Sequence, residues 1–336
     1  MTVQVADLTL TPPVFLAPLA GITDRPFRDL VGSFGAGLVV SEMVASQEMV
    51  QAKPGVRERA ELGFGEATTS VQLAGREAHW MAEAARQVEA NGAALIDINM
   101  GCPAKKVTSA SGSGASGSAL MKDLDHALTL IDAVVGAVDI PVTLKTRLGW
   151  DDNMLNAPEL AQRAENAGVQ MLTIHGRTRC QFYKGASDWA AIRAVKDVVG
   201  IPVIANGDIV DVTSATAALS ASGADGVMVG RGAQGKPWML AQMAAELFDG
   251  EVPVEPTGQA LVDMVQGHYA AMLSFYGVDL GLRVARKHLG WYMDHVGTEA
   301  GLRRQVQTSR DTDEVMLLLT DALMAADESP INGEVA

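Results

Sequence analysis

Short apolar runs alternate with longer Ala-rich segments of helical periodicity between Val14 and about Gly232. Each run is four to six residues long and rich in β-branched residues, which is typical of a buried strand. Eight such runs follow one another: Val14–Ala17, Leu38–Ser41, Ser70–Leu73, Leu95–Asn99, Pro141–Thr146, Met171–His175, Pro202–Asn206 and Gly226–Gly230.

Between the later runs lie segments with apolar residues at helical spacing. Glycine follows several of these segments, and a glycine just past the last periodic residue is a common end of a helix. The predicted helices are Ala78–Asn91, Ala157–Ala167, Trp189–Val199 and Val212–Ser222, followed by Gly92, Gly168, Gly200 and Gly223.

The alternation predicts an α/β fold with a parallel sheet, because strands this apolar must be covered on both faces. Eight β/α units in roughly 220 residues favour a closed eight-stranded β/α (TIM) barrel over an open doubly wound sheet. The Rossmann or flavodoxin-like alternative also lacks its fingerprint, since no GxGxxG follows the first predicted strand.

The pattern changes after Phe248. Pro253, Pro256 and Gly258 indicate a linker, and the following residues have helical periodicity without a convincing strand. We predict a barrel over residues 1–250, a linker over 251–258, a small all-helical domain over 259–326 and a disordered tail over 327–336. The Ser/Gly-rich stretch Thr108–Ser116 predicts a flexible loop.

Composition and charge narrow the function. Hydrophobic residues make up 48% of the chain and charged residues 20%, as in ordinary soluble proteins. No run approaches the roughly 18 apolar residues of a membrane span, and no signal peptide precedes the first strand, so we expect a cytoplasmic protein that does not bind membranes. Two cysteines without a CxxC pair predict neither a disulfide framework nor a metal site. The net charge of −14, taken alone, argues against a nucleic-acid partner.

Polar side chains gather where the predicted strands end. In a β/α barrel the active site lies at the carboxyl ends of the strands, so these side chains are expected to share one face. They are Gln72 in the third strand, Asn99 and Cys102 after the fourth, Lys145 and Arg147 in the fifth, His175 and Arg177 in the sixth, Asn206, Gly207 and Asp208 in the seventh, and Gly230 and Arg231 in the eighth.

The glycines after strands seven and eight have two interpretations. Gly207, Gly230 and Gly232 are each compatible with an ordinary turn. Together they stand where barrels commonly bind phosphate through backbone N–H groups, and Arg231 adds a guanidinium that suits phosphate oxygens.

A phosphate site with a lysine and amides deeper in the barrel suits FMN. Lys145 is the candidate cation for the N1/C2 edge of the ring, where it would stabilise negative charge, with Gln72 and Ala17-Pro18 beside the ring. Lys145 is alternatively a solvated surface charge, and His175 a core histidine. Cys102 is the candidate proton donor, because a cysteine of ordinary pKa, about 8.5, is mostly protonated at neutral pH.

The chain resembles the tRNA-dihydrouridine synthases, and among them the bacterial B-type branch. The similarity extends from the first strand into the helical region and is specific in combination. The strings are APLAGITDRPFR (17–28), VQLAG (71–75), DINMGCPAKKV (97–107), LKTRLGW (144–150), TIHGRTR (173–179), IANGDI (204–209), VMVGRGAQGKPW (227–238) and RKHLGWY (286–292).

The resemblance implies that the chain reduces the C5=C6 bond of specific uridines in tRNA, with NADPH as reductant and FMN as cofactor. By this resemblance hydride reaches uracil C6, and the cysteine corresponding to Cys102 protonates C5. The implied uracil contacts are Asn99 and Arg147. The implied flavin contacts are Ala17, Pro18, Gln72, Lys145, His175, Asn206, Gly207, Asp208, Gly230 and Arg231.

Local basic groups are expected to bind tRNA despite the acidic total. They are Lys105 and Lys106 beside Cys102, Arg177 after strand six, and Arg286 and Lys287 in the helical domain. A solvated helix face is the other interpretation of the last pair. Two other functions remain open: an FMN barrel acting on a free pyrimidine, as dihydroorotate dehydrogenases do, and a non-catalytic RNA-binding regulator.

Overall fold

A computed structural model of the chain describes residues 1–53, 55–63, 67–109 and 116–324. Most of the predicted Ser/Gly-rich loop, residues 110–115, and the predicted tail, 327–336, lie outside the described residues. The described chain divides into two compact units. The first comprises Met1–Gly232 and Met239–Val252, and the second comprises Ala233–Trp238 and the chain from Pro253 onward.

The first unit is a closed barrel of eight parallel strands. They are β3 (Val14–Leu16), β4 (Leu38–Val40), β6 (Thr69–Ala74), β7 (Leu95–Met100), β8 (Val142–Arg147), β9 (Met171–His175), β10 (Val203–Asn206) and β11 (Gly226–Val229). Each strand pairs with the next, β11 pairs with β3, and the β4–β6 pairing completes the ring; the short β5 (Val44–Ala45) also pairs with β6. The predicted barrel and all eight of its strands are confirmed.

Helices surround the barrel and connect its strands. They are α1 (Arg25–Ser33), α2 (Ser46–Val50), α3 (Ala78–Ala90), α4 (Lys105–Thr108), α5 (Leu124–Val135), α6 (Ala157–Asn166), α7 (Ala190–Lys196), α8 (Val212–Ser222) and α9 (Met239–Phe248), with 3-10 turns at Arg57–Ala60, Gly117–Lys122 and Arg231–Ala233.

The ends of α8 show how the sequence sets helix boundaries. Asp211 and Ser214 form a capping box at its start, and Gly223 ends it in the left-handed conformation at φ 66°. Gly200, which the sequence also suggested as a helix end, has no such role, because α7 already ends at Lys196.

An antiparallel hairpin, β1 (Val3–Val5) and β2 (Leu8–Leu10), precedes the barrel and was not anticipated from the sequence. Val3, Val5 and Leu10 are buried in one apolar cluster with barrel residues that include Phe15 and Leu95. Phe15 and Leu95 lie near the amino ends of their strands, so the hairpin covers the end of the barrel opposite to the polar strand ends.

The second unit is helical. It contains α10 (Gly258–Tyr276), α11 (Val278–Val296), α12 (Ala300–Thr308) and α13 (Thr312–Met324). It also contains Ala233–Trp238, which the sequence placed in the barrel; the carbonyl of Trp291 lies 2.6 Å from where a Cβ on Gly235 would stand. No described helix has the length and hydropathy needed to span a membrane.

Candidate active site at the strand ends

Strand register brings the predicted polar residues to two adjacent rows on one face, at the carboxyl ends of the strands. Asn99 is the register partner of Lys145, and Arg147 is the partner of His175. His175 is in turn the partner of Asn206. Partners in parallel strands project their side chains to the same side, so four consecutive strands contribute to one polar surface.

Two amides and a buried carboxylate form a directed hydrogen-bond network. Gln72 Nε2 donates to Asp97 Oδ2 over 2.6 Å, and Asn99 Nδ2 donates to Gln72 Oε1 over 2.7 Å. The other oxygen of Asp97 accepts from Thr143 Oγ1 at 2.7 Å. Burial raises the pKa of Asp97, against the hydrogen bonds from Gln72 and Thr143 and the charge of Lys145. The Gln72 amide nitrogen only donates, so it faces the Asp97 oxygen, and its amide oxygen is left to accept from Asn99. Asp97 and Thr143 were not among the predicted site residues.

The same network positions the turn that carries Cys102. Asn99 Oδ1 accepts from the backbone N–H of Cys102 at 3.0 Å and from that of Gly101 at 3.2 Å. The carbonyl of Cys102 accepts from the N–H and the hydroxyl of Ser118, at 3.0 and 2.9 Å. Cys102 is half-buried and has a free thiol.

Gly117 allows the following segment to approach this turn closely. Its φ is +56°, and a Cβ there would stand 2.8 Å from the Cys102 carbonyl oxygen. A side chain at this position would therefore displace the cysteine turn.

Lys145 is buried in the barrel, which excludes its interpretation as a solvated surface charge. Its Nζ donates to Asn206 Oδ1 over 2.8 Å, and Asn206 Nδ2 donates to the carbonyl of Met228 at 2.8 Å. Burial and then the charge of Arg147 lower the pKa of Lys145 to about 8, against opposing contributions from Asp97 and Cys102. Lys145 is a cation at neutral pH that loses its proton in mildly alkaline solution.

His175 is a neutral imidazole in this environment. Burial, and then the positive charge of Lys145, Arg147, Arg177 and Arg231, lower its pKa well below the ordinary value. Its Nε2 lies 3.3 Å from Arg177 Nη1. A guanidinium nitrogen only donates, so a hydrogen bond between the two requires the imidazole proton to be on Nδ1. The same Nη1 also donates to Asp208 and Ser187, at 2.9 and 3.1 Å.

Arg147 supports two loops. Its Nε donates to the Gly101 carbonyl at 2.7 Å, and its Nη1 donates to the carbonyls of Thr178 and Phe182 at 3.0 and 2.9 Å. Its Nη2 donates to no acceptor of the described residues, but the side chain is 2% exposed, so the uracil contact implied for Arg147 stays a prediction. Burial lowers the pKa of Arg147 to about 10, which leaves it charged at neutral pH.

Arg177 has a different role from the one predicted. The sequence grouped it with cations that contact tRNA, but it is 2% exposed. Both of its terminal nitrogens donate to the carboxylate of Asp208, and its remaining N–H groups reach Lys184, Gly185, Ser187 and His175. With all its donors used inside the loop, we reassign Arg177 to holding Asp208 and the loop after β9.

The turn after β10 contains two consecutive residues with positive φ. Gly207 and Asp208 have φ of +110° and +54°, and a Cβ on Gly207 would stand 2.2 Å from Ser187 Oγ. Burial acts to raise the pKa of Asp208, but hydrogen bonds from Arg177 and the Ser187 N–H outweigh it and hold that pKa below its ordinary value. The carboxylate is therefore ionised and neutralised by Arg177.

This turn and the end of β11 provide donors for an anion. Within the described residues, the backbone N–H groups of Gly207, Asp208 and Gly230 donate to no carbonyl oxygen. Arg231 is exposed and lies 3.1 Å from Asp208 through Nη2. N–H groups without an acceptor beside an exposed cation are compatible with a phosphate, and the phosphate site at these positions stays a prediction. We call the N–H groups of Gly207, Asp208 and Gly230 the anion cradle. The buried Ala17 lies next to it, since a Cβ on Gly230 would stand 3.7 Å from the Cβ of Ala17.

The remaining predicted substrate contacts lie in two places. Lys105 and Lys106 are exposed on α4, immediately after the Cys102 turn. Arg286 and Lys287 are half-buried on α11, in the second unit. Pro18 is half-buried after β3. Their contacts with tRNA or a cofactor stay predictions.

Comparisons with known proteins agree on one family. A family model described as dihydrouridine synthase matches residues 15–327. A "Probable tRNA-dihydrouridine synthase" of Rhodobacter capsulatus is 61% identical over 96% of this chain and 98% of the relative. A "tRNA-dihydrouridine synthase B" of Xanthomonas campestris is 44% identical over 98% of this chain and 99% of the relative.

Two solved structures share the fold. An old yellow enzyme homologue from Zymomonas mobilis superposes with a TM-score of 0.51 at 12% identity, over 77% of this chain and 94% of that one. A histamine dehydrogenase from a Rhizobium species superposes with a TM-score of 0.55 at 11% identity, over 80% of this chain and 50% of that one. At this identity they support the barrel alone. The family model and the relatives match the sequence over nearly its whole length, and the chain therefore belongs to the dihydrouridine synthase family.

Proposed function

We propose that this chain reduces specific uridines in tRNA to 5,6-dihydrouridine, with FMN as cofactor and NADPH as reductant. The observation that carries the proposal is that a thiol, a buried cation and a group of free backbone N–H donors lie together at the carboxyl ends of the strands, in a chain of this family. FMN supplies hydride chemistry when bound. The N–H groups of Gly207, Asp208 and Gly230, with Arg231, would hold its phosphate.

Asp208 does not oppose such a phosphate. Its carboxylate is paired with the buried Arg177, so Arg231 can leave Asp208 and turn to a phosphate without exposing an uncompensated charge. Lys145 places a second positive charge deeper in the barrel, where it would favour electron-rich edges of the ring. Gln72 and Ala17-Pro18 are the other proposed neighbours of the ring.

The amide network leaves specific donors for a uracil base. One N–H of Asn99 is used by Gln72 and its carbonyl by the cysteine turn, so its second N–H is available to a uracil carbonyl. Arg147 Nη2 is the second proposed donor. A base must leave the tRNA stack to reach these donors, as enzymes acting on bases require.

Cys102 is the proposed general acid. Hydride arriving at C6 leaves negative charge at C5, and the thiol of Cys102 delivers the proton there. The hydrogen bonds to Asn99 and Ser118 fix the backbone of Cys102 at both its N–H and its carbonyl. General acid catalysis typically contributes about 10²–10⁴-fold to a rate.

Cys102→Ala tests this role directly. The variant is expected to retain FMN and to be reduced by NADPH at a rate close to wild type, because neither step needs the thiol. Single-turnover oxidation of the pre-reduced variant by an unmodified tRNA transcript is expected to slow by about 10²–10⁴-fold. Dihydrouridine formed at the wild-type rate would refute the assignment.

The cofactor is tested by chromatography of the flavin released from the denatured wild-type protein. Release of FAD, or no flavin after reconstitution, would refute the proposed FMN.

The rival functions make different predictions. An FMN barrel for free pyrimidines would reduce free uracil or a related base as fast as it reduces tRNA. A non-catalytic regulator would leave the dihydrouridine content of tRNA unchanged in cells that lack the protein. Mapping dihydrouridine by position in such cells distinguishes both from the proposed function and identifies the target uridine.

A further inference from the structure

A small cavity lies beside the cysteine turn and has no role in the function proposed above. It has a volume of about 220 Å³. Its walls come from three segments that follow barrel strands: residues 43–48 after β4, residues 74–80 after β6, and Lys106-Val107 on α4 together with Ser116. In the strand order of the barrel, these segments lie across the mouth from β10 and β11, which carry the anion cradle.

The cavity combines an aromatic wall with cations. Trp80 lines the cavity, and so do Ala74 and Gly75 at the end of β6. The Trp80 indole contacts the His79 ring at a centroid distance of 4.5 Å and an angle of 54°, and it has no other ring or hydrogen-bond partner among the described residues. A tilted neighbour of this kind does not occupy the indole in a stacked arrangement.

The charges around the cavity leave one cation available. The carboxylate of Glu48 lies 3.5 Å from Lys53, and that of Glu77 lies 3.9 Å from Arg76. Lys106 is exposed and forms no ion pair within the described part of the chain. The acids are thus already near cations, whereas Lys106 can receive an incoming anion.

Close packing keeps the cavity in its shape. Gly75 allows the start of α2 to approach the end of β6, since a Cβ there would stand 2.3 Å from Ser46 Oγ and 2.7 Å from Met81 Sδ. Ser46 is buried at this contact. The cavity is therefore built into the packing of α2 and α3 against the barrel.

We propose that this cavity is a nucleotide subsite, in which a base stacks on Trp80 and its phosphate contacts Lys106. Drug-sized ligands occupy pockets of roughly 300–1,000 Å³, so a cavity of 220 Å³ suits one base rather than a whole dinucleotide. The inference rests on the proposed function, since both substrates of the proposed reaction contain a base joined to a phosphate. One is a tRNA nucleotide next to the target uridine, and the other is the adenosine phosphate of NADPH.

Equilibrium binding to the FMN-loaded, oxidised protein tests the subsite without turnover. The probes are an unmodified tRNA transcript and NADP⁺. Loss of base–aromatic stacking typically weakens binding by about 5- to 150-fold, so Trp80→Ala is expected to raise the Kd of one probe by that factor. Trp80→Phe should retain most of the affinity. A higher Kd for tRNA assigns the cavity to RNA, and a higher Kd for NADP⁺ assigns it to the reductant.

The controls separate a lost contact from a lost fold. Arg86→Ala removes an exposed cation from the same helix, α3, away from the cavity, and should change neither Kd. Trp80→Leu removes the aromatic ring and keeps an apolar side chain, so it tests the base contact even if Trp80→Ala fails to fold. Lys106→Ala tests the phosphate contact through NADP⁺, because Lys106 is also expected to contact tRNA outside the cavity. Unchanged Kd values for both probes in the folded Trp80 variants, and for NADP⁺ in Lys106→Ala, would overturn the subsite.

Failure of the subsite and failure of the proposed function give different results. Binding that is insensitive to Trp80 and Lys106, with dihydrouridine still formed, removes the subsite alone. Binding that depends on Trp80, without any dihydrouridine formed by the wild-type protein, removes the proposed reaction and retains a nucleotide site.

Discussion

At the scale of single residues, the candidate site depends on polar groups whose orientation is fixed by their neighbours. Asp97 fixes Gln72, Gln72 fixes Asn99, and Asn99 fixes the Cys102 turn. A carboxylate buried in an apolar strand is costly unless it is hydrogen-bonded, and here both of its oxygens accept. Asp97 thus positions the Cys102 turn through Gln72 and Asn99, without contacting the cysteine itself.

Changing Asp97 to Leu is expected to misplace the cysteine turn. The substitution leaves Gln72 Nε2 without an acceptor and the Thr143 hydroxyl with only the Ile96 carbonyl, at 3.4 Å. A buried unsatisfied group costs about 1–3 kcal/mol. We expect a lower free energy of unfolding and a lower kcat with little change in KM for tRNA. Asp97→Asn should retain more activity, since Thr143 can rotate to accept. Equal losses of kcat and stability in the Asn and Leu variants would contradict the orienting role.

Lys145 is expected to give the enzyme an alkaline limit. Its pKa is lowered to about 8, so the side chain is charged below that pH and neutral above it. A bound phosphate or electron-rich ring raises this pKa, which places the loss of charge at or above pH 8 in the loaded enzyme. The rate of flavin reduction by NADPH should fall across that range.

The Lys145→Met variant identifies the group responsible for this limit. It should be reduced more slowly at pH 7 and show no further loss above pH 8, as measured by stopped-flow absorbance. Lys122→Met removes an exposed lysine elsewhere and should retain the wild-type profile. An alkaline limb of the same midpoint in Lys145→Met would show that another group titrates.

At the scale of elements, the sequence predicted the barrel but not the β1–β2 hairpin that covers the amino ends of its strands. All eight strands were recognisable because burial on both faces makes each a continuous apolar run. The hairpin strands β1 and β2 are only three residues long and were too short to give a periodic signal. Their contribution depends on contacts with strands far away in sequence.

The same limit applies to the site. Strand position was enough to predict that Lys145, His175 and Asn206 lie on one face of the barrel mouth. It could not distinguish Arg177, which is buried on Asp208, from the exposed Lys105, because a motif does not report burial. Asp97 was missed because it lies within a strand, although a carboxylate flanked by Ile96 and Ile98 is a signal that could have found it.

The hairpin is expected to stabilise the whole barrel. Leu10 is 1% exposed in the cluster with Phe15 and Leu95, so Leu10→Ala should lower the free energy of unfolding by about 2–5 kcal/mol. Denaturant titration of the FMN-free protein measures this change. Thr9→Ala, on the exposed face of the same strand, should remain within about 0.5 kcal/mol of wild type. A Leu10→Ala effect no larger than that of Thr9→Ala would mean that the hairpin is only loosely attached.

At the scale of the whole molecule, an acidic chain is proposed to bind a polyanion. Asp and Glu number 40 against 26 Lys and Arg, and some of these cations are not available to RNA. Arg147 and Arg177 are buried, and Arg163 is paired with two acids. Binding must therefore depend on a few exposed cations, such as Lys105 and Lys106, while the remaining charge repels tRNA.

Salt dependence measures how many cations take part. Each phosphate neutralised by a protein cation adds about 0.7–0.9 to the slope of log Kd against log salt. The double changes Lys105→Ala with Lys106→Ala, and Arg286→Ala with Lys287→Ala, should each reduce that slope by about 1.4–1.8. Arg86→Ala with Arg163→Ala removes two cations already paired with acids and should leave the slope unchanged. Filter binding of an unmodified transcript from low to moderate salt gives all three values. If the Lys105/Lys106 variant keeps the wild-type slope, tRNA does not contact α4, and the predicted tRNA contacts of Lys105 and Lys106 are wrong.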